Sequence, residues 1–558
     1  MPTSAPFRRI FTPLASALLV ALAFAYTLAH PAGLAAAGGS PANNDDKSIS
    51  HVLDRLGYGP RPGDVEKVRQ VGVMNYIDQQ LHPEKIDDSA LEARLAPLKT
   101  IDLSSREIAR DYYQPAQVQK RQQKQAAGKA DPADAPAAQT RTPEMTAAMM
   151  KQREVVMELD AQKILRATYS DRQLEQVLTD FWFNHFNVFA GKGPERLMLT
   201  EYERDVIRPN VLGNFRDLLG ATAHSPAMLF YLDNWMSTDP KGIHASPLDD
   251  MRQRNRARRL GVVRPDLADM MKQQQKNRPS GLNENYGREL MELHTLGVDG
   301  GYTQKDVVEV ARAFTGWTIA QPRTGGGYRF DPRMHDNGEK NVLGHIIKAG
   351  GGEKDGEQVL DILAQHPSTA RFISTKLARR FVGDEPSAAL IDRASKRFLD
   401  THGDLREVVR TILTSPEFFA PDAYRAKVKT PFEFLVSALR AADADVRGPA
   451  GLIRSMQQLG MPLYQAQPPT GYGDTAEAWV NTGGLVSRMN FALSLVKNQV
   501  QGVRVALPTE PLDAARDRLV KTVLQGQVSD ATVDTLHKAK DVTQLTALAL
   551  GAPEFQRR

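Results

Sequence analysis

Two short stretches hold most of the residue types that could do chemistry. The first is Phe181-Trp182-Phe183-Asn184-His185-Phe186-Asn187-Val188-Phe189. At about 100° per residue, Trp182, His185, Phe186 and Phe189 share one helical face. A neutral imidazole placed among aromatics needs a hydrogen-bond partner. His185 is therefore either a satisfied core histidine or a ligand or acid–base group. Trp182 and Asn184 beside it are candidates for substrate contact.

The second stretch runs from Gly281 to His294. Asn283 is placed to cap a helix, and acidic residues near its start suit the dipole. Arg288, Glu289 and Glu292 each fall within about 60° of Asn285 and make a polar stripe with it. Tyr286, Leu290 and Leu293 make the apolar side, and His294 points roughly opposite to Asn285. One reading of the stripe is a surface Arg288–Glu292 pair at i,i+4. The other is a carboxylate pair, Glu289 and Glu292, facing a cleft, with Asn283 and Asn285 holding substrate. Two carboxyls in unlike environments can divide acid and base roles.

Three further places carry polar or aromatic groups. His335-Asp336-Asn337-Gly338-Glu339-Lys340 is either an active-site loop or a polar turn. Gln467-Pro468-Pro469-Thr470-Gly471-Tyr472-Gly473, followed by Trp479, could stack Tyr472 on a sugar or plug the core; Trp317 is a similar aromatic candidate. Glu201 and Asp205 are i,i+4 neighbours that could join a carboxylate cluster. The nitrogen and oxygen groups of His185, Glu289, Glu292 and His335 would suit zinc, manganese or iron if they met. The Glu-x-x-His pattern of di-iron bundles is absent from both acidic helices. No P-loop, dinucleotide glycine fingerprint, His-Glu-x-x-His or Gly-x-Ser-x-Gly elbow occurs. The sequence requires no cofactor.

The elements that must position these groups are mostly helical. The fold class expected is a mostly α, multi-helix array with a small irregular or hairpin segment at 322–352. The 558 residues suggest two to four domain-sized units. Ordered sequence is expected from about Ile49, where residues to Leu56 read as a helix. A second helix after Asp64 has Val65, Val68, Val71 and Ile77 on its apolar side. Leu197 to Val211 reads as one helix stopped by Gly213. Thr303 is a plausible N-cap for a helix over Asp306 to Phe314. The segments divide as 49–116 (helical), 117–142 (a mobile polar insertion), 143–240 (helical core), 241–279 (a basic insertion), 280–321 (helical core with the polar stripe), 322–352 and 353–558 (a C-terminal helical region).

Composition narrows the class. Charged residues are 25% and the net charge is +5, which does not point to nucleic acid. There is no cysteine, so disulfides, thiolate zinc sites and a cysteine nucleophile are excluded. Arg8 and Arg9 precede an apolar run from Leu14 to Leu28, and small residues end in Ala35-Ala36-Ala37. This reads as a secretory signal over 1–37, with a polar linker at 38–48. The run is short of the roughly 20 apolar residues that span a bilayer. Export to the periplasm or the outside follows, with no transmembrane span in the mature chain. An uncleaved N-terminal anchor in the inner membrane is the alternative.

Several long strings, in order, resemble one bacterial family. They are Phe181 to Phe186, Asn283 to Gly297, Tyr302 to Asp306 and Ala311-Arg312-Ala313-Phe314-Thr315-Gly316-Trp317. His335-Asp336, His366-Pro367, Arg371-Phe372-Ile373, Ser415-Pro416-Glu417-Phe418 and Lys429-Thr430-Pro431 follow. The sequence is similar to the domain of unknown function 1800 over roughly Ile49 to Val496. Gly287 stands where the family often has Ala, a departure of about 1 kcal/mol in helix propensity. The resemblance implies export and no established activity. It also implies a partner, because members are often encoded beside an exported family of unknown function, number 1501, which resembles the alkaline phosphatase and sulfatase superfamily. Two functions stand: a binding or assembly protein holding that partner, or an envelope hydrolase or lyase acting on a polysaccharide or another polar polymer through Glu289, Glu292, His185, His335 and Asp336.

Overall fold

The computed structural model describes residues 44–127, 142–242, 281–526 and 528–558. The signal segment, the basic insertion apart from its first two residues, and the latter part of the polar insertion lie outside the described residues. So does most of the linker.

The chain is mostly α, with six short strands paired as three antiparallel two-stranded ribbons among the described residues. The described residues belong to one compact unit. One continuous hydrophobic core runs from Ile49 to Phe555. The helices that matter below are α1 (Asp46–Leu56), α2 (Asp64–Val71), α3 (Val73–Gln80), α4 (Gln173–His185), α5 (Phe215–His224), α6 (Glu284–Glu292), α7 (Gln304–Ala313), α8 (Lys354–Ala364), α9 (Pro367–Phe381), α10 (Pro431–Ala441) and α11 (Thr482–Val496). The first two ribbons are β1 (Trp317–Ile319) with β2 (Tyr328–Phe330), and β3 (Lys340–Val342) with β4 (His345–Ile347).

Local signals set many boundaries. Asp45 accepts from the Ser48 N–H at 2.7 Å, so α1 begins three residues before Ile49. Thr303 and Asp306 form a reciprocal capping box at the start of α7. Asn283 accepts from the Asn285 N–H at 2.9 Å and caps α6. The β3–β4 hairpin turns through Leu343 and Gly344, both with positive φ.

Three expectations are corrected. The helix after Asp64 is two helices, because Gly72 adopts φ 85° and turns the chain before Ile77. Leu197 to Val211 is not one regular helix: a wide π turn spans Tyr202–Ile207 and a 3-10 turn spans Arg208–Asn210. Pro209 lacks an N–H and would clash with the carbonyl four residues back in a regular helix. The Arg208 N–H instead reaches Glu203. Finally, α4 ends at His185, so Phe189 is not on its face. Beyond that end, Asn187 donates its amide to the Ala466 and Pro468 carbonyls at 3.0 and 2.9 Å. Within the polar insertion, residues to 127 continue the helix Gln114–Ala127.

Candidate functional site

The five groups proposed for acid–base work fall in three places. His185 is at the C-terminal end of α4, in the core. Its Nε2 lies 3.1 Å from the His294 carbonyl oxygen. A carbonyl only accepts, so Nε2 holds the proton and Nδ1 is a bare lone pair, buried without a partner. The rings of Trp182, Phe186 and Phe372 surround it at 5.4, 4.5 and 6.2 Å. Burial, then the Lys376 charge, then His294, push the imidazole far below its ordinary range, so it is neutral. His294 lies just beyond the end of α6, so the helical angle does not set its direction; it is buried, and its ring is 6.2 Å from His185. Burial and Lys376 push it down to about 3, and its Nε2 is also unpartnered.

Lys376 completes this cluster, and no motif pointed to it. It sits on α9 with its ammonium 5.6 Å from the Phe372 ring. Burial lowers its pKa to about 8, Asp474 opposes the shift, and Arg379 adds to it. Among the described residues it makes no hydrogen bond or ion pair. One signal was readable: Pro367–Phe381 contains no acidic residue, so the lysine has no i,i+4 partner. Glu195 was missed outright, because a carboxylate after Pro194 reads as surface. It is wholly buried with both oxygens unpartnered, and burial holds its carboxyl well above the usual range.

Glu289 and Glu292 lie half-exposed on α6, as the polar stripe requires. Burial, then the Glu292 charge, raise the Glu289 carboxyl. Glu289 also helps push the Tyr231 phenol up to about 12, after burial, the largest cause. Glu292 accepts from the Tyr302 hydroxyl at 3.0 Å. The expected Arg288–Glu292 pair does not form, since Arg288 donates to Gln304 at 2.7 Å. Asn285 is exposed, whereas Asn283 is used up as the cap and by donating to the Leu232 carbonyl at 2.8 Å.

His335 and Asp336 belong to a third, buried network below β3. His335 Nδ1 lies 2.8 Å from the Thr315 carbonyl, and Nε2 lies 3.1 Å from Asp355. Lys340 Nζ donates to Asp355 at 2.7 Å, to the Asp336 carbonyl at 2.6 Å and to the Gly338 carbonyl at 2.9 Å. Burial pushes Asp336 up, but Arg312 and the Gly338 N–H outweigh it and hold the carboxyl at about 2. His335, Lys340 and Asp355 have no exposed side-chain surface. The reading of His335 as a group open to substrate is corrected: it braces the hairpin.

The aromatic candidates divide too. Trp182 and Trp317 are wholly buried and have no face for a substrate. Trp182 donates to the Val211 carbonyl at 3.1 Å; Trp317 lies 4.8 Å from Phe314 and 4.5 Å from the His224 ring. Tyr472 is half-buried. Asn184 clamps its backbone at both ends, donating to the carbonyl at 2.9 Å and accepting from the N–H at 2.7 Å. Its hydroxyl donates to the Pro462 carbonyl at 2.6 Å.

Glu201 and Asp205 form no cluster, since Ser105 and Arg204 bind them separately. Among the described residues, no three His, Asp or Glu side chains gather in a way that could hold a metal ion. His185, Glu289, Glu292 and His335 therefore do not make a joint ligand set.

Just past the Tyr472 loop, α11 departs from ordinary helix patterning. It is apolar on nearly every side. Arg488, Phe491, Ala492 and Leu495 are buried. Leu485, Val486 and Leu493, however, are 43%, 55% and 37% exposed, and Val480 before them is 47% exposed. The three helical residues lie within about 100° of arc and make one stripe. No described helix is long and apolar enough to cross a membrane.

No curated protein and no solved structure matches the chain. A family model described as "Protein of unknown function (DUF1800)" matches residues 51–557, and the chain belongs to that family.

Proposed function

We propose that this is an exported envelope protein with a binding or assembly role, and that its partner is a second exported protein. The partner implied by the family resemblance is a member of the family of unknown function 1501. The observation that carries this reading is the exposed apolar stripe of Leu485, Val486 and Leu493 with Val480 beside it. Exposed apolar side chains gathered on one face mark an interaction site. Covering a Leu or Val fully contributes about 1.5–3 kcal/mol, enough for a few such residues to anchor a complex. The hydrolase or lyase alternative asks Glu289, Glu292, His185, His335 and Asp336 to share one cleft; His335 is wholly buried and bonded to Asp355, which weighs against it.

Leu485→Glu with Val486→Glu tests the reading in one chain. Both side chains are exposed, so the melting midpoint should stay within about 2 °C of the parent, the effect of a surface change of up to ~0.5 kcal/mol. Gentle purification from the native envelope should recover a stoichiometric partner with the parent and less than about a tenth as much with the variant. Recovery of the parent alone, in good yield, would reject the assembly role. Accumulation of the unprocessed chain in the cytoplasm would reject export.

A further inference from the structure

A cavity of about 330 Å³ lies between α1, α2, α3 and the start of α4, with α10 beneath it. Ligand pockets begin at about 300 Å³, and a water occupies about 30 Å³. The space suits a small polar molecule.

Its floor is fixed. Arg440 is buried and donates to the Gly59 and Thr168 carbonyls at 2.7 and 2.8 Å and to Asp64 at 3.0 Å. Arg61 reaches the Tyr169 carbonyl at 3.1 Å and Asp171 at 2.5 Å. Lys67 also reaches Asp171, at 3.4 Å. These bonds hold the guanidinium groups in place before any ligand arrives.

One polar group of the lining has no protein partner. Tyr76 is 8% exposed, lines the cavity, and its hydroxyl makes no hydrogen bond among the described residues. Burial pushes the phenol up, and Asp64 and Asp171 push it further, while Arg440 and Arg61 oppose them. The phenol therefore stays protonated and available as a donor. Tyr76 lines the cavity together with Arg61, Asp64, Asp171 and Arg440.

The charges do not balance. Arg61, Lys67, Lys85 and Arg440 line the space, against Asp64, Asp78 and Asp171. Asp78 is turned onto Arg410, 2.7 Å away, which does not line the cavity. Four cations therefore line the cavity against three carboxylates, one of which, Asp78, also pairs with Arg410, and Lys85 has no hydrogen bond or ion pair among the described residues. A floor of fixed guanidinium groups beside a spare phenol donor suits an anion with several acceptor oxygens.

We propose that this cavity binds a small oxyanion, a phosphate- or carboxylate-bearing molecule, with the Tyr76 hydroxyl and the Arg61, Lys67, Lys85 and Arg440 cations as its ligands. The site is independent of the docking stripe on α11, so either assignment can fail alone.

Calorimetric titration of the full chain with inorganic phosphate, and separately with malonate, at constant ionic strength tests it. Saturable binding of at least one anion is expected. Tyr76→Phe should weaken it about tenfold and leave the anion-free melting midpoint unchanged, because the hydroxyl binds no protein group. Lys67→Ala with Lys85→Ala, both at exposed positions, should weaken it at least tenfold. Phosphate alone binding identifies a phosphate-type site; malonate binding as well identifies a general oxyanion site. Binding of neither anion, or equal binding by parent and both variants, overturns the proposal.

Discussion

Around His335, each charged side chain has an opposite charge or a backbone acceptor within hydrogen-bond reach. Around His185, one imidazole nitrogen on each of two rings and the Lys376 amine have none. The residue types are similar, and both clusters are buried. Near β3 the chain supplies Asp355 between His335 and Lys340, and Arg312 opposite Asp336. At the end of α4 it supplies aromatic rings and no acid. A satisfied network rigidifies the structure, and an unsatisfied one has a free energy cost that folding alone does not explain. The contrast separates polar groups that brace the fold from groups held ready for something else.

The comparison breaks most sharply at Asp355. Asp355→Ala leaves the Lys340 ammonium and the His335 ring buried without their carboxylate. Removing one partner of a buried ion pair costs about 3–5 kcal/mol. Urea unfolding of the variant should show a loss of that size. A loss below about 1 kcal/mol would mean that the network around His335 does not brace the hairpin.

Lys376 should give a smaller effect with a distinctive pH signature. Its pKa is lowered from 10.5 to about 8 in the folded chain. Between those values the unfolded chain binds more protons, so stability rises with pH. Below about 8 the lysine is protonated in both states and its burial weakens the fold. Lys429, also lowered to about 8, adds a rise in the same window. The parent should therefore gain stability from pH 8 to 10, and Lys376→Met should remove part of that gain, on the order of 1–2 kcal/mol. Urea midpoints at both pH values read the difference. Equal gains in parent and variant would show that Lys376 has a counter-charge.

Sequence reading succeeded where a few neighbouring residues decide the outcome. Thr303 with Asp306, Asn283 with Asn285, and the Leu343-Gly344 turn are local devices, and each is where the pattern puts it. The C-terminal helical region expected over 353–558 is helical as well, with α8, α9, α10 and α11 in it. The fate of each polar residue depends on segments distant in sequence. His335 reads as a loop residue until Asp355, 20 positions later, is seen to lie 3.1 Å away. Asn184 reads as a substrate contact until Tyr472, 288 positions away, is seen in its clamp. Lys376 becomes notable only when α9 packs beside His185 and His294. Glu195 gives no local sign at all. The same limit explains why the alternatives left open for the aromatic candidates divide: Trp182 and Trp317 are core, and Tyr472 and Trp479 are half-buried.

Glu289 should give the smallest effect on stability. Its carboxyl is half-exposed, has no hydrogen bond or ion pair among the described residues, and shares α6 with Glu292. Its folded pKa is raised, first by burial and then by the Glu292 charge. The fold therefore disfavours the carboxylate, and stability contributed by the protonated form is lost as pH rises through the folded value. Gln is neutral at every pH and nearly the same shape. Glu289→Gln should leave the protein as stable at pH 7 or stabilise it by up to about 0.5 kcal/mol, the range of ordinary surface substitutions. Parent and variant should converge below pH 4, where both side chains are neutral. Destabilisation by more than about 1 kcal/mol, a size tied to loss of a buried contact or bond, would show that Glu289 has a structural partner. It would then belong with the bracing residues around His335, and the stripe on α6 would lose its last free carboxylate.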